Sequence, residues 1–230
     1  RAREITDYRV RKRRETLGAA GSALSFYEQA RVTYPPVSED PYFQLKIGRA
    51  LLNVELRGSA ELEEAARMLA ESDPAAAAVA VMAAGEIIWQ KGDHDGAFTY
   101  FDRAEAAVAD LPDSREKLAV SGQLARFYTL AGRNIEGLER AETAIEMARD
   151  LGEDDHLIDL LNTRGVARTA LPGMDWQTDL ESSLALALER GSWRASRSYL
   201  NLGSTLLAYA ADIARSDSVT REGMAYSEKL

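Results

Sequence analysis

The feature that most constrains this chain is a repeat. Two glycine turns, Gly92-Asp93 and Gly132-Arg133, lie 40 residues apart. Each follows a segment carrying an aromatic residue (Trp89, Tyr128) and precedes an alanine-rich one. At that offset the run Ala97, Phe101, Ala104 superposes on Gly137, Ala141, Ala144. Small residues recur where two helices must approach closely, and recurrence at tens of residues marks an array of helical hairpins. Such an array buries its apolar faces between neighbouring hairpins instead of around one central core.

Composition agrees with helices. The 230-residue chain is 46% hydrophobic, has only 6 prolines, and is rich in the strong helix formers Ala, Leu, Glu and Arg. It has no cysteine, which removes disulfides, thiolate nucleophiles and thiolate metal sites and suits a cytoplasmic location. A net charge of -9 speaks against a general phosphate-binding surface, so direct nucleic-acid binding is not expected. The longest apolar stretches, Ala75 to Gly85 and Tyr199 to Ala211, fall short of the roughly 18 residues a membrane span needs. The chain opens on Arg1 without an initiator Met, and we expect it to be part of a larger protein.

Within one unit the order is Gly85, Ala97, Phe101, Ala104: a small residue on a first helix, then small, aromatic and small residues on its partner. The second half of this pattern recurs as Ala23, Tyr27, Ala30, with Pro35 ending the pair. Helix starts are signalled by Asp73-Pro74, Pro112-Asp113-Ser114 and Asp154-Asp155, and stops by Gly92, Gly132, Gly152 and Gly191. These signals predict six helix pairs near 4–33, 41–71, 75–110, 114–150, 154–190 and 194–229, forming one domain over 1–230.

The residues Ala23, Tyr27, Ala30 and Pro35, the stretch Gly132 to Gly152, Leu161 to Gly165, Asp179-Leu180-Glu181 and Asn201-Leu202-Gly203 together resemble the tetratricopeptide (TPR) region of large bacterial regulators. That group includes nucleotide-cyclase-linked ATPases and MalT- or LuxR-type transcription activators. The resemblance implies an all-α, right-handed superhelical α-solenoid serving as a non-catalytic protein-binding scaffold, with neighbouring domains of the parent chain as further partners. Two departures stand out. The period near 40 exceeds the usual unit of about 34 residues. Arg168 occupies a position where an aromatic is usual.

Several motifs invite chemistry and yield to plainer readings. Glu153-x-x-His156 matches half of a helical di-iron element, but the chain's only other histidine is His94, so no metal or other cofactor is expected. His94 lies in a turn leading into a helix, where Asp93 serves as an N-cap. No Gly-x4-Gly-Lys phosphate loop occurs. The basic run Arg9 to Arg14 reads as a solvated helix face, and Trp89, Trp176 and Trp193 read as packing residues and not as an aromatic cage.

Function is therefore expected on the groove face of the first helices, whose exposed positions recur about one turn apart. Counted from the small packing residues, they are Arg49 and Asn53; Met82, Glu86 and Gln90; Gly122, Arg126 and Thr129; Asn162, Val166 and Thr169; and Leu200 and Ser204. This mixed strip suits an extended peptide or a helix, with Asn162 holding backbone groups and Arg49 or Arg126 a carboxylate. The alternative is a structural spacer or oligomerisation array whose groove holds nothing.

Overall fold

The computed structural model describes residues 20 to 229. The expected first helix over 4–17 and the basic run Arg9 to Arg14 lie outside the described residues. Those described are all-α, without a strand. The helices are α1 (Ala20–Thr33), α2 (Pro41–Glu55), α3 (Ser59–Leu69), α4 (Pro74–Gln90), α5 (His94–Val108) and α6 (Arg115–Leu130). They continue with α7 (Asn134–Leu151), α8 (Asp154–Thr169), α9 (Gln177–Glu189), α10 (Ala195–Ala210) and α11 (Ile213–Ser227). A short 3-10 turn, Pro35–Glu39, follows α1 where Pro35 forbids continuation.

The boundaries follow local chemistry. Carboxylates or hydroxyls of Asp40, Asp73, Asp93, Ser114 and Asp212 accept backbone N–H bonds at the starts of α2, α4, α5, α6 and α11. Pro41 and Pro74 add the pre-set φ of a first helical position. At the other end Gly152 caps α7 in the left-handed region (φ 67°) and donates its N–H to the Ala148 and Arg149 carbonyls.

The described helices group into two compact units, α1 to α5, ending by Pro112, and α6 to α11, from Asp113 on. In the first, α1 packs on α2, α2 on α3, α3 on α4 and α4 on α5. In the second, the order α6, α7, α8, α9, α10, α11 is likewise one of successive neighbours in contact. First helices also meet directly: α2 with α4, α6 with α8, and α8 with α10. This double adjacency is what a stack of hairpins requires, since each hairpin must cover the apolar side of the one before.

The small residues named from the sequence sit at the closest crossings. A Cβ on Gly48 would lie 2.7 Å from Leu62 Cγ, one on Gly85 2.8 Å from Phe101 Cε1 and Tyr100 Cβ, and one on Gly165 2.7 Å from Leu180 Cγ. Phe101, Leu62 and Leu180 are fully buried. The early half-unit is built as expected: Ala23, Leu24 and Tyr27 of α1 pack with Phe43, Ile47 and Leu51 of α2, and the Tyr27 and Phe43 rings meet edge-on at 5.8 Å. Interiors packed to crystal density accept little added volume. Gly85→Ala is therefore expected to lower stability by about 1–3 kcal/mol, read as a reduced urea midpoint at an unchanged m-value.

Candidate functional site

The sequence-derived strip divides according to what lies beside each first helix. In the first unit, Arg49 and Asn53 of α2 are exposed, as is Gln90 of α4, and Glu86 is half-buried. Met82 is different: it is 4% exposed. Helix α4 is apolar around most of its circumference and is contacted by α2, α3 and α5, so its long thioether side chain belongs to the interior and not to an open strip.

In the second unit, Gly122 and Arg126 of α6 and Val166 and Thr169 of α8 are half-buried, and Leu200 and Ser204 of α10 are exposed. Arg126 reaches Gln123 at 3.2 Å. Val166 packs on the core shared by α8, α9 and α10. Thr129 is buried and donates to the Ala125 carbonyl at 2.9 Å, and Thr169 donates to the Val166 carbonyl at 2.7 Å. Both threonine hydroxyls are thus spent on their own helices.

Asn162 is also enclosed, at 3% exposure. Its Oδ1 accepts from Asn201 Nδ2 of α10 at 2.5 Å, while its own Nδ2 is buried without an acceptor. A buried amide donor left unmatched costs about 1–3 kcal/mol. Asn162 therefore lies on the expected face, but as one side of a closed amide pair joining two first helices.

Two charged clusters in the second unit escaped the sequence reading. The first is centred on Asp179 of α9, whose side chain is 4% exposed. Arg164 binds it in bidentate fashion, Nε to Oδ2 at 2.9 Å and Nη2 to Oδ1 at 2.6 Å. Arg168, one turn on, adds Nη1 to Oδ2 at 2.8 Å and to the Asp175 carbonyl at 3.3 Å. Here the missing aromatic finds its explanation. In the preceding pair the corresponding position is Tyr128, and the Arg140 guanidinium of α7 lies 4.2 Å from its ring centroid. In α8 and α9 the cation has moved to the first helix and the partner helix supplies a carboxylate.

The second cluster crosses the first turns of α8 and α10. Arg194 pairs with Asp155 at 3.1 Å and Asp159 at 3.0 Å, and Arg197 with Asp159. Arg115 of α6 pairs with Glu153 at 3.3 Å. His156 sits among them: its Nδ1 is 3.5 Å from a Glu153 carboxylate oxygen, yet enclosed and without a hydrogen bond. Burial holds the imidazole below its ordinary value of 6.5, outweighing the opposing pull of Glu153, and Arg115 and Arg194 push the same way as burial. Among the described residues no group of three His, Cys, Asp or Glu side chains converges as a metal site, and no helix is long and apolar enough to cross a membrane.

The all-α arrangement of paired helices has counterparts among solved structures. BtubC (BKLC) from P. vanneervenii superposes with a TM-score of 0.66, covering 94% of this chain and 91% of its own at 16% identity. A kinesin light chain protein of nearly identical TPR-like repeats, from P. anserina, superposes with a TM-score of 0.54, covering 82% of this chain and 96% of its own, also at 16% identity. The fold is TPR-like. No protein-family profile matches the sequence, and no curated protein matches it significantly.

The clusters differ in what they stake on protonation and pairing. Removing Asp179 leaves the Arg164 guanidinium without a carboxylate and Arg168 with only Glu142, at 3.5 Å, so Asp179→Ala is expected to cost about 3–5 kcal/mol in a denaturant titration at pH 7. For His156 the unfolded chain takes up a proton more readily than the folded one, so stability is full above pH 6.5 and falls as pH drops below it. His156→Gln should flatten that acid-side slope, measured as urea midpoints across the pH range.

Proposed function

We propose that this chain is a non-catalytic TPR-like scaffold whose first-helix faces bind a segment of a partner protein. The observation that carries the reading is the Asn162–Asn201 pair. Two side-chain amides offer four N–H donors and two carbonyl acceptors, and here they share a single bond, with the Asn162 donor enclosed and unmatched. An extended peptide lying across α8 and α10 supplies backbone carbonyl and amide groups that match this need. Binding would exchange the internal amide bond for bonds to the partner, with Gly122 and Arg126 of α6 and Val166 and Thr169 of α8 beside it. In the first unit, Arg49, Asn53, Glu86 and Gln90 offer a comparable mixed face. Likeness to kinesin light chain repeats and BtubC supports a scaffold role at the level of fold.

The resemblance to TPR regions of bacterial regulators suggests the finer setting: a cytoplasmic sensing or regulatory segment that passes the state of its groove to a neighbouring ATPase, cyclase or DNA-binding domain. The second reading, a spacer or oligomerisation array, draws on the same closed amide pair, which also ties two first helices together. An array of immobilised extended peptides separates the two. Peptides retained by the wild-type chain should bind the Asn162→Ala/Asn201→Ala variant about tenfold more weakly, the worth of one or two hydrogen bonds. An array on which the wild type and the variant behave alike favours the spacer.

A further inference from the structure

The start of α8 is a run of ionisable residues, Glu153, Asp154, Asp155 and His156, with Asp159 one turn later. Acids suit that place, because the first turn of a helix carries partial positive charge. Each of these carboxylates holds an arginine from another element. Glu153 holds Arg115 of α6, Asp154 holds Arg190 just past α9 at 2.7 Å, and Asp155 and Asp159 share Arg194 just before α10. Asp159 also binds Arg197 of α10. His156 is the exception, since its Nδ1 is enclosed and makes no hydrogen bond.

One oxygen connects this histidine to its neighbours. Oε2 of Glu153 lies 3.3 Å from Arg115 Nε on α6 and 3.5 Å from His156 Nδ1 on its own helix. While the imidazole is neutral, Arg115 is the only cation of the two, and the oxygen belongs to it. A proton on Nδ1 turns the ring into a second, cationic donor aimed at the same atom, and charge-assisted bonds of this kind close to about 2.7–2.9 Å. The new charge arrives at a helix N-terminus between Arg115 and Arg194, both of which oppose it, so Glu153 and Asp159 are the groups that favour it. Arg194 keeps two carboxylates, Asp155 and Asp159, whereas the tie from Arg115 to α8 runs through Glu153. Arg115 is also the more exposed side chain, 58% against 20% for His156. The α6–α8 tie is therefore the one that protonation loosens.

We propose that His156 is a proton-operated latch on the contact between α6 and α8. With the imidazole neutral, Glu153 Oε2 holds Arg115 and ties the two helices. With Nδ1 protonated, the same oxygen turns to His156, three residues along its own helix, and Arg115 is released to solvent. The latch acts on two helices that carry the candidate strip, yet it stands whether or not that strip binds a peptide.

Titration of the two histidine rings by NMR on the full chain tests the latch, with exposed His94 of α5 as the internal control. Whatever protonation releases must itself oppose protonation, because the coupling is reciprocal. Arg115→Ala removes the competitor, so His156 should titrate about 0.2–0.7 of a pH unit higher than in the wild type. Glu153→Gln removes the charge on the shared oxygen and should lower the His156 midpoint by a similar amount. The deciding variant joins the two. An arginine that acts through the shared oxygen loses its influence once Glu153 is gone, so Arg115→Ala/Glu153→Gln should titrate where Glu153→Gln does. Direct repulsion between Arg115 and the imidazolium survives that substitution. An Arg115→Ala effect of full size in the Glu153→Gln background overturns the latch, as does an Arg115→Ala chain whose His156 titrates no higher than the wild type. Neither substituted side chain belongs to the core, and dispersed aromatic resonances mark each chain as folded.

Discussion

The close crossing between the two helices of a pair is the contact on which the other features depend. Where Gly48, Gly85 and Gly165 stand, a single added methyl would meet the partner helix below 3 Å. Without a side chain in the way, Leu62, Phe101 and Leu180 sink onto the backbone of the first helix and lose all contact with water. Burial of that kind is worth about 1.5–3 kcal/mol for each large side chain. The crossing also fixes what the outer side of each pair presents to the next one, so an alteration at one glycine is felt by the neighbouring pair through the helices that rest on it.

Above that shared crossing the pairs solve the next layer of packing in different chemical terms. Between α6 and α7 an aromatic ring on the first helix receives a guanidinium from the second. Between α8 and α9 the guanidinium is on the first helix, accompanied by a second one from Arg164, and both converge on Asp179. A ring tolerates many partner orientations, whereas a bidentate Arg–carboxylate pair accepts few. The α8/α9 pair is consequently set in rotation and register by directional bonds.

Helix limits and the fold class were legible because their determinants are local: Asp-Pro and Ser starts, glycine stops, and small residues at a constant offset. The starts of α4, α6 and α8 fall within one residue of the 75, 114 and 154 expected. The face of each first helix was less legible. Counting by turns from the small residue places Arg49 and Asn53 on open surface, as observed, but it cannot register how many helices flank a given one. Met82 is enclosed because α4 touches three helices, and Asn162 because Asn201 closes over it. Asp179 belongs to a stretch that resembles a family pattern, and Arg168 departs from that pattern. Nothing in linear spacing pairs residues 11 apart on different helices, so the ion cluster needed coordinates.

Helix α8 has a consequence of its own. It contributes Leu160 and Leu161 to the core it shares with α6 and α7, and Ile158 to the separate core it shares with α9 and α10. One rod of 16 residues is therefore common to both hydrophobic clusters of its unit, and neither cluster survives if it unwinds. Openings that involve the flanking pairs leave α8 half covered, while opening α8 itself dissolves the unit. Its backbone amides then report the global unfolding free energy, and the flanking pairs report progressively smaller ones toward the outside. The unit's cooperativity is in this sense a property of a single helix with no spare side.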